Sequence, residues 1–489
     1  MDTPTWITRG VAVLRPKLAV AADAASARPE ARAATDAKAA TPGNGRSTRE
    51  RLGATLRKGE EALSPRVLRR TLEELQAIVD PRVSEVEGGR RAMGVARWYA
   101  KATPEQRRDM WLLMSEQFTA DPAKVKKAQA QYAAAVGTPD EAAAEVQYRR
   151  ATVSPRRRLL QRFSANPGGI RLLVEMRAEM QPHIKADKRL AALDVEMEYM
   201  FSTWFDVGFL DLQRISWDSP ASLIEKLIKY EAVHDIRSWA DVKNRLDSDR
   251  RCYGFFHPRL EGEPLIFVEV ALVDDMAGSI TPLLDEAAEP ADLSKATTAI
   301  FYSISNTQAG LRGVSFGDSL IKRVVETLKL EFPKLKCFAT LSPIPGLRGW
   351  LGKNAASLLE QMDSKPRAEL ARALEGEATP DRLLAALDKP LELDAKSPLR
   401  AFALAAAAQY LGRETNEGKP ADPVARFHLG NGARVERLNW AADPSVKGLK
   451  QSYGLMVNYL YDLKRLDKHR SQLAEGKIAV SSAVEGLLP

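Results

Sequence analysis

Only two cysteines occur in the 489 residues, Cys252 and Cys337, far apart and without Cys-x-x-Cys spacing. That pattern speaks against a disulfide framework and against a cysteine zinc site. Histidine is also scarce, with five: His183, His234, His257, His428 and His469. No pair has the four-residue spacing of a helical metal site and His-Glu-x-x-His is missing, so no metal is expected. No apolar run approaches the ~18 residues that a membrane-spanning helix needs. Charge of one sign does not dominate either: 72 Lys and Arg against 64 Asp and Glu leave +8. So small an excess on so long a chain does not establish nucleic-acid binding, and it equally suits an anionic small molecule such as a phosphorylated cofactor.

What is present is ordinary globular composition, 45% hydrophobic and 28% charged. At roughly 100–200 residues per domain, two or three domains are expected. Residues 1–64 are rich in Ala, Arg, Asp and Pro and poor in large apolar side chains, which reads as a disordered extension. Asp23, Glu30 and Asp36 argue against a transit peptide, and the apolar stretch is too short for a secretory signal. The working assumption is an intracellular protein.

Residues 65–205 read as an all-α domain. Ser64 precedes Pro65 at a helix start, and Val67, Leu68, Leu72, Leu75 and Ile78 recur at helical spacing. Thr103-Pro104-Glu105-Gln106 reads as a capping box. Asp121-Pro122, Thr138-Pro139 and Asn166-Pro167-Gly168-Gly169 break the helices. Residues 206–489 change texture. "CYGFFHP", "EPLIFVEVAL", "TTAIFYSIS" and "KCFATLSP" read as strands, with an amphipathic helix over "DSLIKRVVETLKLEF". An Ala- and Leu-rich helical insertion follows Trp350. "VARFHLGNGARVERLNW" reads as a strand pair turned at Asn431-Gly432, and "SYGLMVNYLYDLKRLDKHRSQL" reads as a helix.

Three features carry candidate chemistry. Glycines 310, 313 and 317 follow a strand and open a helix, where backbone N–H groups and the helix dipole favour a phosphate. A structural turn explains the glycines as well, because no Lys-Ser/Thr pair or clean dinucleotide fingerprint follows. Arg312, Lys322 and Arg323 add positive charge there. In "LSPIPG", Ser342 stands at a strand end before Pro343 and Pro345, which stiffen the turn; a solvent-facing Ser at a strand terminator is the plainer reading. His428 sits in an expected strand just before a tight turn, where a histidine is more often structural. His183 and His469 read as surface residues in charged helices, and the pairs Asp274-Asp275 and Asp285-Glu286 as solvated surface.

These segments together resemble the malonyl-CoA decarboxylase family. The resemblance is carried by "AIFYSISNTQAGLRGVSFGDSLIKRVVETLKLEFPKLKCFATLSPIPGLRGWL", by "PVARFHLGNGARVERLNWAADPSVKGLKQSYGLMVNYLYDL", and by the run from "SWDSPASLIEKL" to "GEPLIFVEVAL". It covers about residues 70–480. It implies an α+β protein: an all-α helical N-terminal domain, then a GNAT-like, N-acetyltransferase-type α/β catalytic domain with a helical insertion. It implies that Arg312, Gly313, Val314, Ser315, Phe316, Gly317 and Asp318 form the acyl-CoA-binding loop. Ser342 and His428 match the family's catalytic serine and histidine, and Tyr461 an active-site tyrosine. Some members carry Glu where this chain has Ser315, so another group would have to orient the histidine. The helical domain is expected to mediate a homo-oligomer, dimer or tetramer.

The implied reaction is conversion of malonyl-CoA to acetyl-CoA and CO2 through a thioester enolate. The thioester carbonyl is the electron sink, so no cofactor is expected beyond the CoA of the substrate, and no nucleic-acid or membrane partner. Ser342 would orient the malonyl group and His428 would protonate the enolate carbon, an imidazole pKa lying near working pH. The alternatives are an acyl-CoA-dependent N-acyltransferase and a non-catalytic acyl-CoA sensor. No peroxisomal Ser-Lys-Leu ends the sequence, and with the high Ala and Arg content this points to a bacterial cytoplasm.

Overall fold

Proline-led, side-chain-capped helix starts build the first half of the chain. The computed structural model describes residues 63–314 and 320–488. The expected disordered extension therefore lies almost wholly outside the described residues, as do Ser315, Phe316, Gly317 and Asp318. The first eight α-helices among the described residues are α1 (Pro65–Val79), α2 (Glu85–Lys101), α3 (Pro104–Glu116), α4 (Pro122–Ala135), α5 (Glu141–Thr152), α6 (Pro155–Ser164), α7 (Gly169–Ile184) and α8 (Ala191–Trp204). Ser64 Oγ accepts from Val67 N, and both halves of the Thr103–Gln106 capping box are made, at 3.3 and 3.1 Å. Asp121 caps α4 through the N–H groups of Ala123 and Lys124. Each such cap satisfies a donor that the first helical turn leaves without a partner.

Strands β1 (Asp211–Ile215), β2 (Arg250–Phe256), β3 (Pro264–Val273), β4 (Thr298–Asn306), β5 (Cys337–Thr340) and β6 (Ser342–Pro343) follow, with α9 (Ala221–Tyr230) and α10 (Trp239–Arg245) between β1 and β2 and α11 (Leu320–Glu331) between β4 and β5. The helical insertion is α12 (Leu347–Gln361), α13 (Ser364–Ala373), α14 (Pro380–Leu387) and α15 (Pro398–Gly412). After the short hairpin β7 (Thr415–Asn416) and β8 (Lys419–Pro420) come α16 (Pro423–Gly430), β9 (Arg434–Asn439), α17 (Val446–Ser452), β10 (Met456–Leu460), α18 (Leu466–Ala474) and α19 (Ser482–Glu485). The main sheet runs β1-β2-β3-β4-β5-β10-β6, with β9 on β10. This is the expected α+β arrangement of helices, then mixed sheet, then helical insertion.

The sheet's parallel pairing positions the site. β4 and β5 run parallel, as a strand–helix–strand unit requires, and α11 buries Leu320, Ile321, Val324, Val325 and Leu328 across them. Their register extends only from Thr298–Cys337 to Phe301–Thr340. β4 continues to Asn306, whereas Ser342 and Pro343 pair with Val457 and Met456 of β10. The two strands part there, and a cavity opens between them. One apolar core runs from Leu68 and Met110 in the helices through Phe255, Val268 and Val325 to Tyr459 and Val484.

Four expectations need correction. His428 is in helix α16, not in a strand. Asp422 Oδ1 accepts from Val424 N and Ala425 N at 2.9 and 3.1 Å, and Pro423 fits the first helical turn, so Asp-Pro is a helix start. Asn431-Gly432 then ends that helix rather than turning a hairpin, with Gly432 at φ +84°. The stretch beginning at Ser452 is not one helix: Met456–Leu460 is the buried strand β10, because Tyr453 at φ +55° and Gly454 at φ +77° terminate α17. His469 is buried rather than on the surface, its Nδ1 3.0 Å from Gly432 O, while His183 is exposed as expected.

Candidate active site

Ser342, His428 and Tyr461 come from three separate segments and meet in one hydrogen-bonded chain. Ser342 leads β6, His428 lies on the inner face of α16, and Tyr461 directly follows β10. Ser342 Oγ donates to Thr340 Oγ1 at 2.8 Å and lies 3.3 Å from His428 Nε2. His428 Nδ1 is 2.7 Å from the Tyr461 hydroxyl. Thr340 Oγ1 also accepts the Tyr459 N–H at 3.1 Å. Since the serine proton is engaged with Thr340, Nε2–H is the donor of the imidazole–serine contact. Nδ1 then accepts the phenol proton, and every link has one donor.

Burial sets the electrostatics. His428 and Ser342 are 3% and 6% exposed. The imidazole stacks on Tyr459 at 4.7 Å between ring centres and meets Phe427 edge-on at 5.1 Å. Burial lowers the His428 pKa from 6.5 to about 3 and pushes the Tyr461 phenol well above its ordinary range. The site thus holds a neutral imidazole and a neutral phenol at pH 7, and the imidazole's ordinary pKa does not apply in it.

Asp422 ties the helix that carries His428 to the turn that follows Ser342. Besides capping α16, its Oδ2 accepts Gly346 N–H at 3.2 Å, in the turn that follows Ser342-Pro343. Asp422 is fully buried and burial raises its pKa, against the N–H groups that bond it. A Cβ at Gly346 would fall 2.1 Å from the Tyr410 hydroxyl, so the tight turn requires glycine. Asn458 supports Thr340 from behind, its Nδ2 donating to Thr340 O at 2.7 Å.

Two connected cavities reach this chain. The inner one, about 220 Å³, is lined by Val233, Ile304, Asn306, Ser342, Pro343 and His428 among others. The outer groove, about 800 Å³, is lined by Gln308, Leu311, Arg312, Gly313, Val314 and Arg426 among others. Both share Ile304, Asn306 and Phe427, so the groove leads inward. Arg312, Gly313 and Val314 therefore stand at the groove. Arg323 does not: its guanidinium donates to Val207 O and Leu210 O and is part of the packing. Lys322 is exposed, 4.0 Å from Glu326. Sequence reasoning missed Asp422, Thr340, Asn306 and Arg426. Asp422-Pro423 was the readable signal among them. Among the described residues no group of three or more His, Cys, Asp or Glu comes together in a way that could hold a metal ion, and no helix is long and apolar enough to cross a membrane.

Comparison with known proteins follows the same division. The malonyl-CoA decarboxylase N-terminal domain family matches residues 118–205, and the C-terminal domain family matches residues 208–489. Mitochondrial malonyl-CoA decarboxylase of Rattus norvegicus is 36% identical over 71% of this chain and 73% of its own length. The protein of the same name from Anser anser anser is 37% identical over 64% of this chain, and the match spans 65% of the goose protein. Malonyl-CoA decarboxylase from Rhodopseudomonas palustris superposes with a TM-score of 0.73 at 42% identity, over 86% of this chain and 99% of that one. The structure from Cupriavidus metallidurans gives 0.70 at 44% identity, over 86% and 100%. With the C-terminal family alone taking in more than half of its residues, the chain belongs to the malonyl-CoA decarboxylase family, a family of carboxy-lyases.

Proposed function

We propose that this chain converts malonyl-CoA to acetyl-CoA and CO2, with Ser342 and His428 as its catalytic residues. The observation that carries the reading is a small, largely apolar cavity lined by Ser342 and His428, with Tyr461 bonded behind the imidazole, next to a groove that shares its lining and runs beside a glycine-bearing loop. The groove suits the extended CoA arm and the inner cavity suits the malonyl group.

The chemistry follows from the wall. Loss of CO2 leaves its electron pair on the α-carbon, conjugated into the thioester carbonyl, so the substrate is its own electron sink. The C–C bond to the carboxylate must stand out of the carbonyl plane for that overlap. With substrate bound, the Ser342 hydroxyl turns from Thr340 to donate to a malonyl oxygen and holds this rotamer. Apolar walls around a carboxylate favour its departure as neutral CO2. The enolate carbon then takes the proton from His428 Nε2, and one proton is taken up from solvent per turnover. A malonyl carboxylate beside the imidazole raises its pKa from the low value of the empty site, so substrate binding itself brings in that proton. Tyr461, on Nδ1, keeps Nε2 as the protonated nitrogen facing the substrate.

The test is to incubate the full chain with malonyl-CoA alone and follow acetyl-CoA and CO2. Equal amounts of both are expected, with kcat reduced about 10²–10⁴-fold in His428→Asn, the usual worth of a positioned proton donor, and about 10²–10³-fold in Ser342→Ala. In both, kcat should fall more than KM rises. Near wild-type turnover in either variant would remove that residue from the mechanism. Saturable CoA binding without turnover would move the site to acyl transfer or sensing. A homo-oligomer rests on the resemblance and a cytoplasmic setting on the Ala- and Arg-rich composition, and light scattering and cell fractionation test them.

A further inference from the structure

One arginine of the helical region reaches into the groove's own loop. Arg177, on α7, is 1% exposed. Its Nη1 donates to Gly310 O and to Arg312 O, each at 2.9 Å. Its Nε donates to Asp194 at 2.8 Å and its Nη2 to Glu198 at 3.0 Å, both on α8. Gln181, one turn further along α7, completes the grip. In the amide orientation that satisfies both its ends, its nitrogen donates to Ala309 O and its oxygen accepts from Arg177 Nη2, each at 3.2 Å. Gly310 is pressed onto the same helix so closely that a Cβ there would lie 1.9 Å from Val174 O.

The arrangement has an electrostatic consequence. Asp194 and Glu198 are carboxylates set beside the loop, and a Cβ at Gly313 would lie 3.3 Å from the Glu198 carboxylate. Alone they would oppose an anionic ligand at Arg312–Val314. Arg177 offsets one of these two charges while holding two loop carbonyls, and only a planar fork of donors serves all four partners at once.

We infer that Arg177 is a positioning residue for acyl-CoA: the helical region supplies part of the substrate site by fixing the shape and charge of the 309–313 loop. This rests on the reading of that loop as the one that holds the CoA phosphates.

The test compares malonyl-CoA with malonyl-pantetheine, which lacks the phosphorylated adenosine and the pyrophosphate, on the full chain. Arg177→Lys keeps the charge but cannot hold both loop carbonyls and both carboxylates at once. Its KM for malonyl-CoA should rise at least tenfold with kcat within threefold, and its KM for malonyl-pantetheine should rise less than threefold. Gly310→Ala lifts the loop from α7 with Arg177 intact and should give the same selective defect; if it does not fold, Arg177→Lys decides. Equal losses on both substrates, a fall in kcat at unchanged KM, or no change in KM would each overturn the inference. A wild type that uses both substrates with equal KM would overturn the loop reading and this inference with it. A wild type that uses neither would sink the decarboxylase reading instead, and calorimetric binding of CoA and pantetheine to the same variants would then decide the role of Arg177.

Discussion

Two buried polar clusters flank strand β4, and they differ in what their atoms have left to do. In one, Arg245 donates to Asp241 at 2.6 Å, to Glu269 at 2.9 Å and to His234 O at 2.9 Å. Nearby, Glu231 accepts from the hydroxyls of Ser303 and Ser305 and from the N–H groups of Val233 and His234. Burial works against the Arg245 charge, but Glu269 and Asp241 outweigh it and raise its pKa. The other cluster is Thr340, Ser342, His428 and Tyr461. It carries no formal charge, one of its contacts is long at 3.3 Å, and it borders a cavity. Burial and a shifted pKa are common to both. What separates them is access: Ser342 and His428 line an open cavity, and that marks the second as the place for chemistry.

The comparison breaks most easily at Arg245. Arg245→Met strands Asp241 and Glu269 as buried charges, which typically costs about 3–5 kcal/mol. Urea unfolding should show that loss, while the remaining folded enzyme keeps kcat within a few-fold. His428→Asn should do the reverse, losing turnover with stability little changed. If Arg245→Met were stable and inactive, the charged cluster would be the functional one.

A finer test falls on Tyr461. Tyr461→Phe keeps the ring and removes only the hydroxyl 2.7 Å from His428 Nδ1. The imidazole then loses the partner that fixes its tautomer, and kcat should fall about tenfold, or ~1.4 kcal/mol. An unchanged kcat would show that Nε2 carries its proton without help.

Most of the architecture was legible because its signals are local. Ser64-Pro65, Thr103-Gln106 and the apolar face of α11 each announce an element within a few residues. His428 was assigned to a strand because Val424, Phe427 and Leu429 beside a Gly turn suit either period, and only the Asp422-Pro423 cap decides for a helix. β10 misled for a related reason: a short run buried on both faces has no period to read. Ser342, His428 and Tyr461 were picked out by resemblance to a family. Their convergence was invisible to spacing, since it depends on where β4 and β5 part and on Asp422 bonding a turn 76 residues away. The role of Arg177 was equally hidden, because an arginine in an amphipathic helix looks like surface until its partners are known.

The smallest expected effect separates His428 from the other buried histidines. Its pKa is about 3 in the fold against 6.5 ordinarily. Between those values the unfolded chain binds a proton that the folded chain does not, so stability rises with pH. The contribution is fully present above about pH 6.5 and is lost as pH falls towards 3, at up to ~1.4 kcal/mol per pH unit for one proton. His234, lowered by burial to about 4, adds a term of the same sign, and Glu269, raised by burial to about 7, adds one of opposite sign. Both are common to the wild type and His428→Asn, so the difference between the two isolates His428. The difference between their unfolding free energies should shift in favour of the variant by about 1 kcal/mol as pH falls from about 5.5 to about 4.5. Parallel curves over that interval would mean that the imidazole titrates at its ordinary pKa in the fold. A fraction of it would then already be charged at pH 7, and substrate binding would have less of the proton to bring in.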